Sequence, residues 1–129
     1  MSILMTETLS CPNCLSEFQM EVAHSLNAER SPHLRDAILE DRFQRHNCAL
    51  CLCTFHVERP FVYIDFPAKT WIGVFGRGDA EDWPQAEAVL RSAFRRACIE
   101  AGPLARQIGE GTRLRAVFGI DALREKLVI

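Results

Sequence analysis

The chain has 129 residues, 48% hydrophobic and 25% charged, which excludes a disordered or fibrous protein and is enough for one folded domain. Its 15 basic and 17 acidic residues give a net charge of −2, so it lacks the overall positive charge of many nucleic-acid-binding domains. No apolar run approaches the roughly 20 residues that span a bilayer, and the N-terminus lacks a signal pattern. We expect a cytoplasmic protein with no membrane partner, whose six cysteines stay reduced.

The first half of the chain predicts strands on either side of two cysteine turns. Residues 1–10 predict a strand, and the alternating apolar residues of Phe18–Val22 predict another after the first turn. A serine–proline step then begins a predicted helix over Ser31–Asp41. Alternation returns at Cys53–Val57, which predicts a strand after the second turn.

The middle of the chain is the most apolar part. Phe61–Phe66 and Trp71–Phe75 are dense apolar runs joined by a proline-containing turn, which predicts a β-hairpin. Glycines at Gly76–Asp79 mark a turn and the expected boundary between two parts of the chain. We therefore divide it into 1–78, a zinc-ribbon and sheet unit, and 79–129, a helical extension packing on the sheet.

The C-terminal part predicts helices around one short strand. Asp82 begins a helix with an apolar stripe that ends at Ala101–Pro103, and Leu104–Ile108 predicts one further helical turn. Leu114–Phe118 predicts a late strand, and Asp121 begins a terminal helix. The expected fold class is α+β: a zinc-ribbon-like antiparallel sheet with an inserted helix, extended by a β-hairpin and C-terminal helices.

Two cysteine pairs carry the chemistry of the sequence. Cys11 and Cys14 enclose two residues, as do Cys48 and Cys51, and this spacer lets both thiolates of a pair point at one metal ion. Together they supply four soft ligands for one tetrahedral zinc ion. Four thiolates leave no open coordination position, so the site is expected to be structural, with no catalytic residues and no other cofactor.

Rival interpretations of the cysteines remain open. In a thioredoxin-like redox motif the second cysteine lies at the start of a helix, whereas here each pair runs into a predicted strand, which favours a metal. Iron can occupy four sulfurs as in a rubredoxin, but Leu15 and Leu52 stand where rubredoxins usually have glycine. Cys53 or His56 is an alternative fourth ligand to Cys51.

Four segments in this order resemble the CpXC family of bacterial proteins. They are the Cys-Pro-Asn-Cys motif after a strand, the alternating Phe18–Val22, the Ser31–Asp41 helix and the lead-in Phe43–Cys48. The resemblance covers about residues 8–75, and residues 118–126 also look like the family's C-terminal sequence. It implies a zinc-binding module with ligands at Cys11, Cys14, Cys48 and Cys51, and no particular activity. Ala49 departs from the proline that the family often has there.

The function we expect is that of a non-enzymatic zinc-binding structural module that mediates protein–protein association. Its partner is an unknown protein or a second copy of the chain. If the apolar runs Phe61–Phe66 and Trp71–Phe75 are not covered by the C-terminal helices, they form the surface for that association.

Two other functions are alternatives. A nucleic-acid-binding zinc ribbon in gene regulation would use the arginines near the second turn and on the C-terminal helix, namely Arg42, Arg45, Arg59, Arg91, Arg95 and Arg96. Acidic residues interspersed among them make this function less favoured. A thiol–disulfide oxidoreductase would use Cys11 and Cys14, and it ranks last.

Overall fold

Seven strands and four helices make up the computed structural model, which describes residues 2–128. The strands are β1 (Ile3–Ser10), β2 (Glu17–Asn27), β3 (Arg45–Asn47), β4 (Thr54–His56), β5 (Phe61–Asp65), β6 (Thr70–Phe75) and β7 (Arg113–Phe118). The helices are α1 (Pro32–Leu39), α2 (Trp83–Phe94), α3 (Pro103–Gly109) and α4 (Ile120–Val128). Two residues lie outside the described part of the chain: Met1, the first residue of the predicted first strand, and Ile129, the last residue of the predicted C-terminal part.

The main sheet has five strands in the order β1-β2-β5-β6-β7, and β3 pairs with β4 in a separate ribbon. The predicted α+β class is confirmed, but the sheet is mixed rather than antiparallel: β2 pairs with β5, and β6 with β7, in parallel. Parallel neighbours need a long crossover connection. Here α1 with the β3–β4 ribbon makes the first crossover, and α2 with α3 makes the second.

The hairpin of β5 and β6 is buried on both faces of the sheet. Successive side chains of a strand point to opposite faces, so each strand contributes to two apolar clusters. Tyr63 and Ile72 face α1 and α4 in one apolar cluster. Ile64 and Trp71 face the opposite way, against Leu90 of α2. The helices therefore cover the apolar runs that were the candidate association surface.

The helices begin where the sequence predicted, but the contacts at the start of α1 differ from those of an ordinary N-cap. Ser31 is the N-cap residue of α1, but its hydroxyl hydrogen-bonds the Ser2 hydroxyl at 2.8 Å instead of capping the helix. The predicted turn at Gly76–Asp79 is mostly a 3₁₀ segment, Arg77–Asp82, which runs into α2. Beyond α2 the chain continues through a wider π-type turn at Arg95–Ile99.

The C-terminal part contributes a strand as well as helices to the main sheet. β7 pairs with β6 along its full length, from Thr70 opposite Arg113 to Phe75 opposite Phe118. The division at residues 78 and 79 stays a prediction. Among the described residues, no helix is both long and apolar enough to cross a membrane.

Candidate metal centre

The first cysteine turn connects β1 to β2. Its backbone closes through two hydrogen bonds: the N–H of Leu15 donates to the carbonyl of Cys11, and the N–H of Cys11 donates to the carbonyl of Ser16, both at 2.9 Å. Leu15 has a left-handed φ of 65°. This conformation brings Cys11 and Cys14 to the same side of the turn.

The second turn, between β3 and β4, repeats this geometry. The N–H of Leu52 donates to the carbonyl of Cys48 at 2.9 Å, and the N–H of Cys48 donates to the carbonyl of Cys53 at 2.8 Å. Leu52 has a φ of 61°. The hydrogen bonds therefore give Cys53 the place that Ser16 has in the first turn, two residues beyond the second cysteine.

The two turns face each other and bring four sulfurs together. The Sγ atoms of Cys11, Cys14, Cys48 and Cys51 all lie within 4.8 Å of one another. Two of the separations between the turns are 3.6 Å, from Cys11 to Cys51 and from Cys14 to Cys48. Zinc–sulfur bonds of about 2.3 Å at tetrahedral angles place sulfurs about 3.8 Å apart. The four cysteines therefore fit a tetrahedral metal ion.

Covalent pairing does not explain these distances. A disulfide joins its sulfurs at about 2.05 Å, and these cysteines are all free. Cys11 and Cys48, the first cysteine of each turn, are buried, whereas Cys14 is exposed and Cys51 is half-buried. The centre thus lies at the protein surface with one side closed. That these four sulfurs are the ligands stays a prediction.

Hydrogen bonds favour the thiolate of Cys48 in the metal-free protein. The Ser16 hydroxyl makes the largest contribution, followed by the backbone N–H groups of Cys51 and Leu50, and together they lower the pKa of Cys48 to about 5. This sulfur is therefore ionised at neutral pH before a metal arrives.

The pKa values of Cys51, in the same turn as Cys48, and of Cys11, in the first turn, shift in opposite directions. The Asn13 side chain is the main cause that lowers the pKa of Cys51. For Cys11, the backbone N–H of Cys14 acts to lower the pKa, but burial and the contacts with the neighbouring sulfurs raise it to about 11. Since metal ligands must be deprotonated, a metal bound by these sulfurs would release a proton from Cys11.

Ser16 is a site residue that the sequence did not reveal. Its hydroxyl lies 3.1 Å from the sulfur of Cys14 and 3.4 Å from that of Cys48, so it bridges the two turns. A serine shortly after a cysteine pair does not form a recognisable sequence motif. Only its equivalence to Cys53 marks the position, and that equivalence comes from the matching backbone hydrogen bonds of the two turns.

The alternative ligands lie outside the group of four. The sulfur of Cys53 faces the backbone carbonyl of Thr54 at 3.9 Å. His56 Nε2 lies 3.1 Å from the carboxylate of Asp41. Over residues 2–128, Cys51 and not Cys53 or His56 is the fourth member of the cluster.

Two of the arginines considered for nucleic-acid binding are paired with carboxylates. Arg42 forms an ion pair with Glu40, and Arg59 lies 3.7 Å from Glu7. These carboxylates offset the positive charge near the second turn. A phosphate backbone normally needs a concentrated basic patch.

Comparison with known proteins places the chain in a family. The family described as CpXC protein matches residues 9–129, beyond the segments that carried the resemblance in the sequence. The chain therefore belongs to the CpXC family. No curated protein and no solved structure gives a significant match.

Proposed function

We propose that this CpXC protein holds one structural zinc ion between its two cysteine turns and acts as a non-enzymatic module that associates with another protein. The observation that carries the metal assignment is the meeting of four sulfurs within 4.8 Å of one another, from two turns of equal geometry. Zinc suits an all-thiolate tetrahedral site. With four sulfurs as ligands, no position is left for water or a substrate.

A structural role follows from where the two turns lie. One belongs to the main sheet and the other to the separate β3–β4 ribbon. A structural zinc ion contributes about 10–16 kcal/mol in small finger peptides, which is comparable to the whole net stability of about 5–15 kcal/mol of a typical domain. The ion would therefore hold the ribbon against the sheet.

Exposed leucines beside the cysteines support the association role. Leu15, Leu50 and Leu52 have 74%, 77% and 82% of their surface exposed. Two of them also occupy left-handed backbone, which costs a residue other than glycine roughly 1–2 kcal/mol. Large apolar side chains grouped at a surface are typical of interaction sites. A second copy of this chain is the partner that we test first.

Native mass spectrometry with elemental analysis tests the metal. Protein purified without added metal is compared with Cys48→Ser and with the matched control Cys53→Ser, which alters the same turn outside the cluster. We expect one zinc per chain in the wild type and the control, and none in Cys48→Ser. Iron, or zinc retained by Cys48→Ser, would contradict the proposal. A metal-free wild type with rapidly alkylated Cys11 would favour the thiol–disulfide alternative.

Sedimentation velocity over a range of concentrations tests the association. Zinc content is checked first, so that a lost metal is not mistaken for a lost interface. We expect the wild type to self-associate and the double variant Leu50→Ser/Leu52→Ser to remain monomeric. Leu104→Ser is the control, because Leu104 is also exposed but lies on α3. A wild type that is monomeric throughout would refute the second copy as partner.

A further inference from the structure

A basic cleft opens on the face of the sheet that packs against α1 and α4. Its volume is about 390 Å³, within the range of small-molecule sites. Tyr63 and Ile72 form part of its lining and are both buried. The basic side chains lining it come from three elements: Arg35 of α1, Arg113 and Arg115 of β7, and Lys126 of α4.

The strand register explains how these residues meet. Tyr63 pairs with Ile72, which pairs in turn with Arg115, so the three form one row across β5, β6 and β7. The next row contains Arg113 of β7 and Asp65 of β5, both opposite Thr70 of β6. Because alternate residues share a face, both rows lie on the same side of the sheet.

The charge of the cleft is positive and unbalanced. Asp65 is the one acidic residue in the lining, against four basic ones. None of those four forms an ion pair with the part of the chain that the structure describes, whereas Arg77 and Arg124 each pair with a carboxylate. Guanidinium groups left without carboxylates are suited to bidentate pairing with an anion.

Tyr63 supplies an independent sign of a ligand. Its side chain has 0% exposure, and within residues 2–128 its hydroxyl donates no hydrogen bond. The Arg35 guanidinium lies beside it but can only donate, so the hydroxyl proton has no acceptor. Burial is the main cause that raises its pKa, so the hydroxyl keeps its proton and stays a donor. Buried polar groups are nearly always paired. A hydrogen-bond acceptor entering the cleft would give the Tyr63 hydroxyl a partner.

We propose that the cleft binds a small phosphate-bearing molecule, with the arginines of β7 pairing with phosphate oxygens and the Tyr63 hydroxyl donating to the same group. Phosphate fits better than a single carboxylate because it carries more negative charge and more acceptor oxygens for the four cations. The cleft also lies in a different part of the fold from the cysteine turns, so this proposal stands apart from the zinc ion.

Isothermal titration calorimetry of the zinc-loaded protein at low ionic strength tests the proposal. The probes are inorganic phosphate, pyrophosphate, citrate and a single-stranded DNA oligonucleotide. We expect pyrophosphate to bind more tightly than citrate or the oligonucleotide. Arg113→Gln/Arg115→Gln should weaken pyrophosphate binding about tenfold or more. Tyr63→Phe, which keeps the aromatic ring, should weaken it about three- to tenfold.

Arg91→Gln is the matched control, since Arg91 lies on α2 and does not line the cleft. It should leave pyrophosphate binding unchanged, and thermal melting should show that every variant is folded. No binding of either phosphate probe, or binding that survives Arg113→Gln/Arg115→Gln, would overturn the proposal. Citrate bound as tightly as pyrophosphate would remove the preference for phosphate. An oligonucleotide that binds more tightly than pyrophosphate would replace the small molecule with nucleic acid.

Discussion

Replacing Ser16 with alanine tests whether the serine between the two cysteine turns supports metal binding. The hydroxyl is within reach of two sulfurs, at 3.1 Å from Cys14 and 3.4 Å from Cys48, but its single proton serves one full hydrogen bond at a time. Loss of such a partner of a metal ligand typically lowers affinity 10- to 100-fold. Since Ser16 is half-buried and water replaces part of its contact, we expect the lower end, about tenfold.

A competition titration with a chromophoric zinc chelator, on fully reduced protein at neutral pH, measures this change. Ser16→Thr keeps the hydroxyl and should bind zinc within about threefold of the wild type. Cys53→Ala alters the equivalent position of the second turn, whose sulfur faces the Thr54 carbonyl and lies outside the group of four, and should also have little effect. An affinity for Ser16→Ala equal to that of the wild type, or an equal loss in Cys53→Ala, would refute the reasoning.

Three further predictions concern stability and protonation. Leu52→Gly removes roughly 1–2 kcal/mol of left-handed backbone strain but raises the entropic cost of folding by about 0.5–1 kcal/mol. The free energy of unfolding of the zinc-loaded protein, measured by chemical unfolding, should therefore rise by about 0.5–1 kcal/mol. A fall would contradict the presence of strain at Leu52. Ile38→Ala leaves a cavity at a fully buried position and should lower the free energy of unfolding, measured in urea, by about 2–5 kcal/mol. Val89→Ala, at an exposed position, should change it by less than about 0.5 kcal/mol. Equal effects would be inconsistent with Ile38 lying in the core. In metal-free, reduced protein, the part of the thiolate absorbance that Cys48→Ser removes should disappear near pH 5. The stability that this lowered pKa confers is present above the ordinary value of 9.0 and should be lost as pH falls through 5. Titration near 9 would argue against the Ser16 contact.

The sequence predicted best what depends on near neighbours. The spacing inside each cysteine pair is a covalent constraint, so Cys11 and Cys14 could be assigned to one turn without knowing the fold. Alternating and helical patterns likewise predicted β2, the hairpin and α1, because these elements arise from side chains a few residues apart. The resemblance to the CpXC family relied on the same local features.

What the sequence did not show depends on distant contacts. Ser16 reaches Cys48 across 32 positions of the chain. The parallel entry of β5 and β7 into the sheet depends on where the intervening helices pack, and no local pattern determines the direction of a strand. The cleft was missed for the same reason, since Tyr63 and Arg115 lie in one row only through the register of β7.

The order of elements along the chain has a consequence for biosynthesis. Both cysteine turns precede β5, so all four sulfurs leave the ribosome while the centre of the main sheet is still inside it. The edge strand β7 and its helix α4 lie further along the chain and emerge after β5 and β6. Synthesis proceeds from the N-terminus at about 5–20 residues per second, so early segments are exposed before later ones. A nascent chain can therefore bring its four sulfurs together before β7 and α4 have emerged, and the basic cleft takes shape only after them.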